Sequence, residues 1–170
     1  MLDRCISDAS PGRGFNLREG KGFTLIEGGS RSKARDSKRI SDMRQLMSAQ
    51  EMYYGSQDVY MPFTPSSPDF MPVEISDGVT TFIKVPTDPG GGAVVACDHA
   101  SGIPAYTYCA LDNDGEPQKY CYYARLENAI INKGGCTDLA PCPYMTVNHV
   151  GTFYKPAKPS DLDDCASGAQ

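Results

Sequence analysis

The seven cysteines are the residues of this chain whose type offers the most chemistry: Cys5, Cys97, Cys109, Cys121, Cys136, Cys142 and Cys165. Cysteines form disulfides, bind zinc or act as nucleophiles. No Cys-x-x-Cys pair is present, and the only histidines are His99 and His149. The segment Cys97-Asp98-His99 is therefore the one local cluster that could hold a metal or pair a thiol with a base. That spacing is far from the patterns of structural zinc sites, so we expect no zinc.

A calcium site would need clustered oxygen ligands, and Asp112, Asp114 and Glu116 are the nearest approach to one. In a helix-loop-helix calcium loop, Gly115 would be the sixth residue and Cys121 the twelfth, where a glutamate is required. The match fails at that position, and a turn explains the segment better. Asp112 and Asp114 remain weak calcium candidates, together with an irregular acidic cluster at residues 161–164, and we expect no cofactor.

Length and charge limit the classes of function. A chain of 170 residues suggests one domain with appendages, and its net charge of −5 argues against a nucleic-acid partner. A transmembrane helix needs about 20 apolar residues. No uninterrupted apolar run in the chain is longer than five residues, as in segment 93–97. The first 22 residues also lack the apolar core of a secretory signal peptide.

Residues 31–54 have the periodicity of an amphipathic helix, and Gly55 is placed to act as its C-cap. Lys38 and Asp42 are spaced for an i,i+4 contact on the exposed side. The predicted apolar face draws on Ile40, Met43, Leu46, Met47, Met52, Tyr53 and Tyr54.

The remainder of the chain predicts a small antiparallel sheet. Residues 56–75 are rich in proline and form an irregular connection, and residues 78–85 form a short helix or strand. Residues 103–110 and 120–127 are aromatic and β-rich, and Asp112-Asn113-Asp114-Gly115 between them is a hairpin signal. Beyond residue 128 we expect a loop-rich tail. The fold class is therefore α+β, with an N-terminal amphipathic helix packed on the sheet.

One motif near the N-terminus carries a resemblance. Lys21 precedes Gly22-Phe23-Thr24-Leu25-Ile26-Glu27, which resembles the processing site of type IV pilins and type II secretion pseudopilins. Residues 34–46, the Pro86-Thr87-Asp88-Pro89 turn and the tyrosine-rich strands also resemble that family. The resemblance implies cleavage by prepilin peptidase after Gly22, methylation of the new N-terminus at Phe23, and a role for Glu27 in subunit assembly.

The same resemblance divides the chain. Residues 1–22 would be the leader, 23–30 a residual mature N-terminus with a Gly-Gly-Ser junction, and 31–170 a pilin-like globular domain. In the family an apolar helix follows the glutamate, whereas here Glu27 is followed by Gly28-Gly29-Ser30. We interpret this as loss of the membrane-spanning half of the stalk helix. We therefore expect a soluble chain with residues 1–30 disordered.

The resemblance also assigns a compartment to the cysteines. Cys5 would lie in the cytosolic leader, and the other six would face an oxidising compartment and form three disulfides. Six cysteines allow 15 connectivities. Two local pairs are geometrically easy, namely Cys109 with Cys121 across the hairpin and Cys136 with Cys142 around a short loop. That choice would leave Cys97 to pair with Cys165.

The function implied is that of a structural subunit, not an enzyme, in a type IV pilus or a type II secretion-like pseudopilus. The intact protein would wait in the inner membrane and then enter an extracellular or periplasmic filament of like or related subunits. An exported adhesion or ligand-binding module displayed on a pilin stalk is the alternative. Binding of the chain to a surface glycan or protein would favour that alternative.

Overall fold

The computed structural model describes residues 18–64, 71–90, 108–132 and 135–168, and for residues 18–28 it describes the backbone alone. Within these ranges the chain forms two helices and six strands. Helix α1 spans Arg18–Gln57, β1 Glu74–Ser76, β2 Thr81–Lys84, β3 Tyr108–Ala110, β4 Cys121–Ile130, β5 Cys142–Asn148, β6 Gly151–Lys155 and α2 Leu162–Cys165. The fold is thus α+β, as the sequence predicts, with α1 packed on antiparallel strands.

Helix α1 is longer at both ends than the sequence predicts. Its backbone is helical from Arg18 through the Gly28-Gly29-Ser30 junction, a stretch for which the sequence predicts disorder. Residues 1–17, the rest of that predicted disordered segment, lie outside the described residues. At the other end, Gly55 lies inside the helix and is not its cap. The residue after the last turn is Asp58, whose positive φ of 58° and N–H bond to the Tyr54 carbonyl (2.8 Å) end the helix.

Four strands form one antiparallel sheet in the order β3-β4-β5-β6, and β1 pairs with β2 in a separate two-stranded sheet. The predicted hairpin is present, with Tyr108 opposite Ala124 and Cys109 opposite Tyr123. Its connection, residues 111–120, is longer than a tight turn. The prediction of a loop-rich tail after residue 128 is wrong, because β5 and β6 in that region supply half of the larger sheet.

Alternation along β4 separates two apolar clusters, because successive side chains of a strand point to opposite faces. Tyr122 and Ala124 belong to the main core, which also contains Met43 and Leu46 of α1. Cys121 and Tyr123 belong to a second cluster with Leu162 and Cys165. The residues after β6 therefore cover the face of the sheet that α1 leaves open.

The predicted apolar face of α1 is confirmed at the centre of the helix, and the prediction is wrong at Met52. Met43, Leu46 and Ala49 are fully buried, whereas Met52 is 51% exposed. Met52 instead borders a groove between α1 and β2, which also contains Phe82 and Ile83. The helix therefore packs on the sheet with a narrower stripe than its sequence suggests.

Asn113 ties the connection before β4 to the segment that follows α1. Its side chain accepts a hydrogen bond from the Phe63 N–H (2.7 Å) and donates to the carbonyls of Lys119 (2.9 Å) and Met61 (3.3 Å). The residue is 2% exposed. The sequence identifies Asn113 only as part of a turn, whereas the structure makes it a buried connector.

Candidate functional site

The residues of the processing motif lie in the first part of α1. Gly22, Phe23 and Glu27 are all within the helical range Arg18–Gln57, and their side chains are outside the described part of the structure. Gly29, Ser30 and Arg31 are exposed. Among the described side chains, contact with the large sheet begins at Ser32, whose hydroxyl lies 3.5 Å from Asn128 Oδ1. The motif and the packed part of the helix therefore belong to one continuous element.

An ionic cluster, the ionic junction, joins α1 to the rest of the domain. Its centre is Arg39, whose side chain is fully buried. The guanidinium donates to Asp88 through Nε (2.7 Å) and Nη2 (2.9 Å). Its Nη1 donates to Asp36 (2.7 Å) and to Glu127 (2.8 Å). Arg35 also binds Glu127, with Nε 2.6 Å from Oε1. One cation thus connects the helix, the turn at 86–89 and strand β4.

Asp36 extends the ionic junction, because its carboxylate also accepts hydrogen bonds from backbone N–H groups of β4. Its carboxylate accepts from the N–H groups of Glu127 (2.9 Å) and Asn128 (2.8 Å) and from the Asn128 side-chain amide (2.8 Å). The regular β4–β5 pairing is interrupted between Arg125 and Ile130. Backbone N–H groups that lose a strand partner are satisfied by another acceptor, either water or a protein group. Asp36 supplies it, so the helix side chain completes the irregular part of the strand.

The charges in this cluster shift the pKa of Glu127 and the pKa of Arg39 in the directions that keep both groups ionised. Hydrogen bonds from Arg35, and then from Arg39, lower the pKa of Glu127 to about 2 despite its partial burial. Burial alone would lower the pKa of Arg39, but the bonds to Asp88 and Glu127 outweigh it and raise that pKa. The junction is therefore a compensated set of buried charges.

Two further polar contacts fix α1 against the sheet along its length. Tyr108 donates to Asp42 (2.7 Å), and Lys38 donates to both oxygens of Asp42 (2.9 Å each). The predicted Lys38–Asp42 contact is thus present, although Asp42 is buried rather than exposed. Nearer the end of the helix, Gln50 donates to Tyr122 and accepts from the Met61 N–H (3.0 Å).

The disulfides agree with the predicted use of the cysteines but only in part with the predicted pairing. Cys136 is bonded to Cys142, as expected from the short loop. Cys121 is bonded to Cys165 and not to Cys109, so the hairpin pair and the Cys97–Cys165 pair are both wrong. Cys109 and Cys121 are offset across the hairpin, because Cys109 lies opposite Tyr123. Cys109 is disulfide-bonded, and its partner lies outside the described residues, as do Cys5 and Cys97.

The weak metal candidates show no ligand geometry in the described ranges. Asp112 accepts a hydrogen bond from the Asp114 N–H (2.9 Å), which is a local turn, and Gly115 follows with a positive φ of 86°. Among the described residues, no group of three or more His, Cys, Asp or Glu side chains could hold a metal ion. The Cys97-Asp98-His99 cluster is outside those ranges.

His149 lies beside a tyrosine cluster formed by Tyr54, Tyr60, Tyr120 and Tyr122. Its Nδ1 and the Tyr120 hydroxyl are buried without a hydrogen-bond partner in the described structure. Burial, and then the charge of Lys119, lower the pKa of His149. Both effects favour the neutral form of the ring over the protonated form.

The residues that hold the junction were not singled out as a site by the sequence. Asp88 lies in the Pro86-Thr87-Asp88-Pro89 turn, which carries part of the pilin resemblance. That resemblance is the one feature of the sequence that draws attention to Asp88. Arg39, Asp36 and Glu127 were indistinguishable from solvated charges on a helix and a strand. In the contacts between α1 and β4, the two bonded residues are 88 to 92 positions apart in the sequence.

Compared with family models, curated proteins and solved structures, the chain has no significant match of any of the three kinds. The class of protein that the fold defines is thus an α+β domain with one long helix fixed to a disulfide-bonded antiparallel sheet. No helix in the described ranges is long and apolar enough to cross a membrane.

Proposed function

We propose that this chain is a structural subunit of a pilin-type filament, either a type IV pilus or a type II secretion-like pseudopilus. The supporting observation is that the segment Gly22–Glu27 lies on the same continuous helix that is fixed to the sheet from Ser32 onward. A pilin needs this arrangement, because the start of its helix is processed and assembled while the other half carries the head. The role is structural and requires no catalytic group.

The proposed mechanism assigns each motif residue a step. Prepilin peptidase cuts between Gly22 and Phe23 and methylates the Phe23 amine. Glu27 then pairs with the N-terminal amine of a neighbouring subunit inside the apolar core of the filament. An unpaired carboxylate in such a core is costly, so a register that pairs it is favoured.

The ionic junction gives this mechanism a way to orient the head. Arg39 and Asp36 bind β4 and the 86–89 turn through several charge-assisted hydrogen bonds, which are directional as well as strong. The angle between helix and sheet is therefore set by specific contacts. A helix held at a defined place in a filament would present every head in the same orientation.

The test is to insert about 20 apolar residues after Glu27, so that the helix can anchor in a membrane, and to express the protein with a prepilin peptidase. We expect cleavage after Gly22 and a methylated Phe23, both detected by mass spectrometry. Gly22→Val should block cleavage by crowding the scissile bond. Glu27→Ala should be cleaved normally but should fail to form filaments.

A Glu51→Ala variant of the same inserted protein is the matched control, because Glu51 is an exposed carboxylate on the same helix outside the motif. It should be cleaved and assembled like the parent. Normal cleavage of Gly22→Val, or filaments of Glu27→Ala at the parent yield, would show that the proposed roles of these residues are wrong.

A further inference from the structure

Leu139 is presented to solvent on a constrained loop. It is 98% exposed and lies within the loop closed by the Cys136–Cys142 disulfide. Two backbone hydrogen bonds, Thr137 N–H to the Ala140 carbonyl (3.0 Å) and Ala140 N–H to the Thr137 carbonyl (3.1 Å), fix the turn that carries it. A fully exposed leucine on a preorganised turn loses little conformational freedom when it enters a partner.

A groove elsewhere on the domain has complementary properties. It lies between α1 and β2, has a volume of about 550 Å³, and offers Met52, Phe82 and Ile83 as its apolar surface. Ser41, Arg44, Gln45 and Ser48 supply polar groups around them. An apolar centre with a polar rim is the usual anatomy of a protein interface.

The charges beside the two surfaces are opposite in sign. Asp138 precedes Leu139 and is exposed, and Arg44 at the groove is also exposed. In the part of the chain that the structure describes, neither side chain has an ion pair. Docking of Leu139 into the groove would bring one carboxylate and one guanidinium to the same interface, where opposite charges steer association.

We propose that the loop with Leu139 of one copy of this chain docks into the α1–β2 groove of a second copy. This inference rests on the proposed function, for which it names a contact between subunit heads. The loop and the groove are different surfaces of the same chain, so the contact is heterologous. Repeated heterologous contacts extend into open helical assemblies unless their rotation closes a ring.

The position of the two surfaces along α1 fits this kind of repetition. Strand β4 runs antiparallel to the helix, because Tyr122 contacts Gln50 while Asn128 contacts Ser32. The Leu139 loop follows β4 and ends at Cys142, which lies opposite Ile130 at the Ser32 end of the packed helix. The groove is centred near Arg44 and Gln45, roughly 20 Å further along at 1.5 Å per residue. If the helices of the two copies are parallel, docking displaces one copy relative to the other along the helix axis.

Cysteine cross-linking tests the contact directly. In a Cys5→Ser background, which removes the cysteine that the sequence predicts to be outside the disulfides, one chain carries Leu139→Cys and a second, differently tagged chain carries Met52→Cys. Mild oxidation of the mixture at high protein concentration should give the mixed dimer. A chain with both substitutions should give a ladder of dimers, trimers and higher multimers. Val79→Cys replaces Leu139→Cys in the control, because Val79 is 95% exposed and lies outside the groove.

Charge reversal gives a second test of the contact, measured through the yield of the same cross-link. Asp138→Arg should lower the yield of the mixed dimer roughly fivefold, and adding Arg44→Asp on the partner should restore it. Equal cross-linking through Val79→Cys, or yields that do not respond to either reversal, would overturn the proposed contact.

The filament assay separates this inference from the function on which it rests. In the protein with the inserted apolar segment, Leu139→Asp should leave cleavage after Gly22 unchanged and should reduce filament yield. Normal filaments of Leu139→Asp would overturn the docking contact and leave the proposed function intact. A cross-linked ladder from a protein that the peptidase does not process would overturn the proposed function and leave the contact intact.

Discussion

Arg39 and Asp88 form a two-point ion pair, with Nε 2.7 Å from Oδ2 and Nη2 2.9 Å from Oδ1. Both side chains are almost completely buried, with 0% and 6% of their area exposed. The pair joins the middle of the long helix to a turn 49 residues away. It therefore holds together two parts of the chain that local sequence preferences could not bring into contact.

Loss of the Arg39 charge should destabilise the domain strongly. Arg39→Met keeps much of the side-chain volume but leaves Asp36, Asp88 and Glu127 without their shared cation. Removing one partner of a buried ionic group typically costs about 3–5 kcal/mol. Urea unfolding at neutral pH should show a free energy of unfolding lower by this amount.

Arg44→Met is the matched control for this measurement, because Arg44 is exposed on the same helix. It should change the free energy of unfolding by less than about 0.5 kcal/mol. Equal effects of the two substitutions would contradict the role given to the ionic junction.

Glu127 should make stability depend on pH in the acid range. Its pKa falls from an ordinary value of 4.5 to about 2 in the folded protein. The folded state therefore binds fewer protons than the unfolded state, and the stabilisation is fully present above pH 4.5. It is lost as the pH falls from 4.5 towards 2.

The comparison is between wild type and Glu127→Gln, with urea midpoints measured at intervals from about pH 6 to about pH 1.5, a range that includes the pKa of Glu127 in both the unfolded and the folded state. The variant should be less stable at the upper end of this range and should lose less stability on acidification. Parallel curves for the two proteins would mean that Glu127 is not the carboxylate responsible.

The two described disulfides should differ in their contributions to stability. The Cys121–Cys165 bond closes a separation of 44 residues and the Cys136–Cys142 bond one of 6. Loop-closure entropy predicts about 4 kcal/mol for the first and about 2 kcal/mol for the second. Paired serine variants of each bond should show this order in denaturant unfolding.

Peptide mapping of the non-reduced protein checks the connectivity that underlies this prediction. A peptide linking Cys121 to Cys165 should be recovered. Recovery of a Cys109–Cys121 peptide would restore the pairing that hairpin geometry first suggested.

Gly55 should be a site where alanine stabilises the protein. A C-cap glycine requires a left-handed backbone, in which alanine is strained, but Gly55 lies inside α1 with open space around its Cβ position. In a helix interior, alanine is more favourable than glycine by about 0.5–1 kcal/mol. Thermal unfolding of Gly55→Ala should show a higher Tm.

Gly78→Ala serves as the contrasting variant. Gly78 also has open space around its Cβ position, but its φ is +84°. Alanine at that position should lower the Tm. A lower Tm for Gly55→Ala as well would indicate that the helix ends where the sequence suggested.

The sequence by itself determined the features that depend on neighbouring residues. The apolar repeat at Met43 and Leu46 predicted the core face of the helix, because side chains three and four residues apart share one face. The tyrosine-rich strands and the turn between them predicted the β3–β4 hairpin. The six-residue spacing of Cys136 and Cys142 predicted their bond.

Tertiary structure alone decided the features that depend on distant residues. Three features arise from contacts between distant parts of the chain. They are the ion pairs of Arg39 with Asp36, Asp88 and Glu127, the bond between Cys121 and Cys165, and the two strands that begin at residues 142 and 151. Local sequence cannot identify which charges become buried, since an aspartate on a helix has the same type and spacing in either setting. Packing removes some of these charges from water, and only then does pairing become necessary.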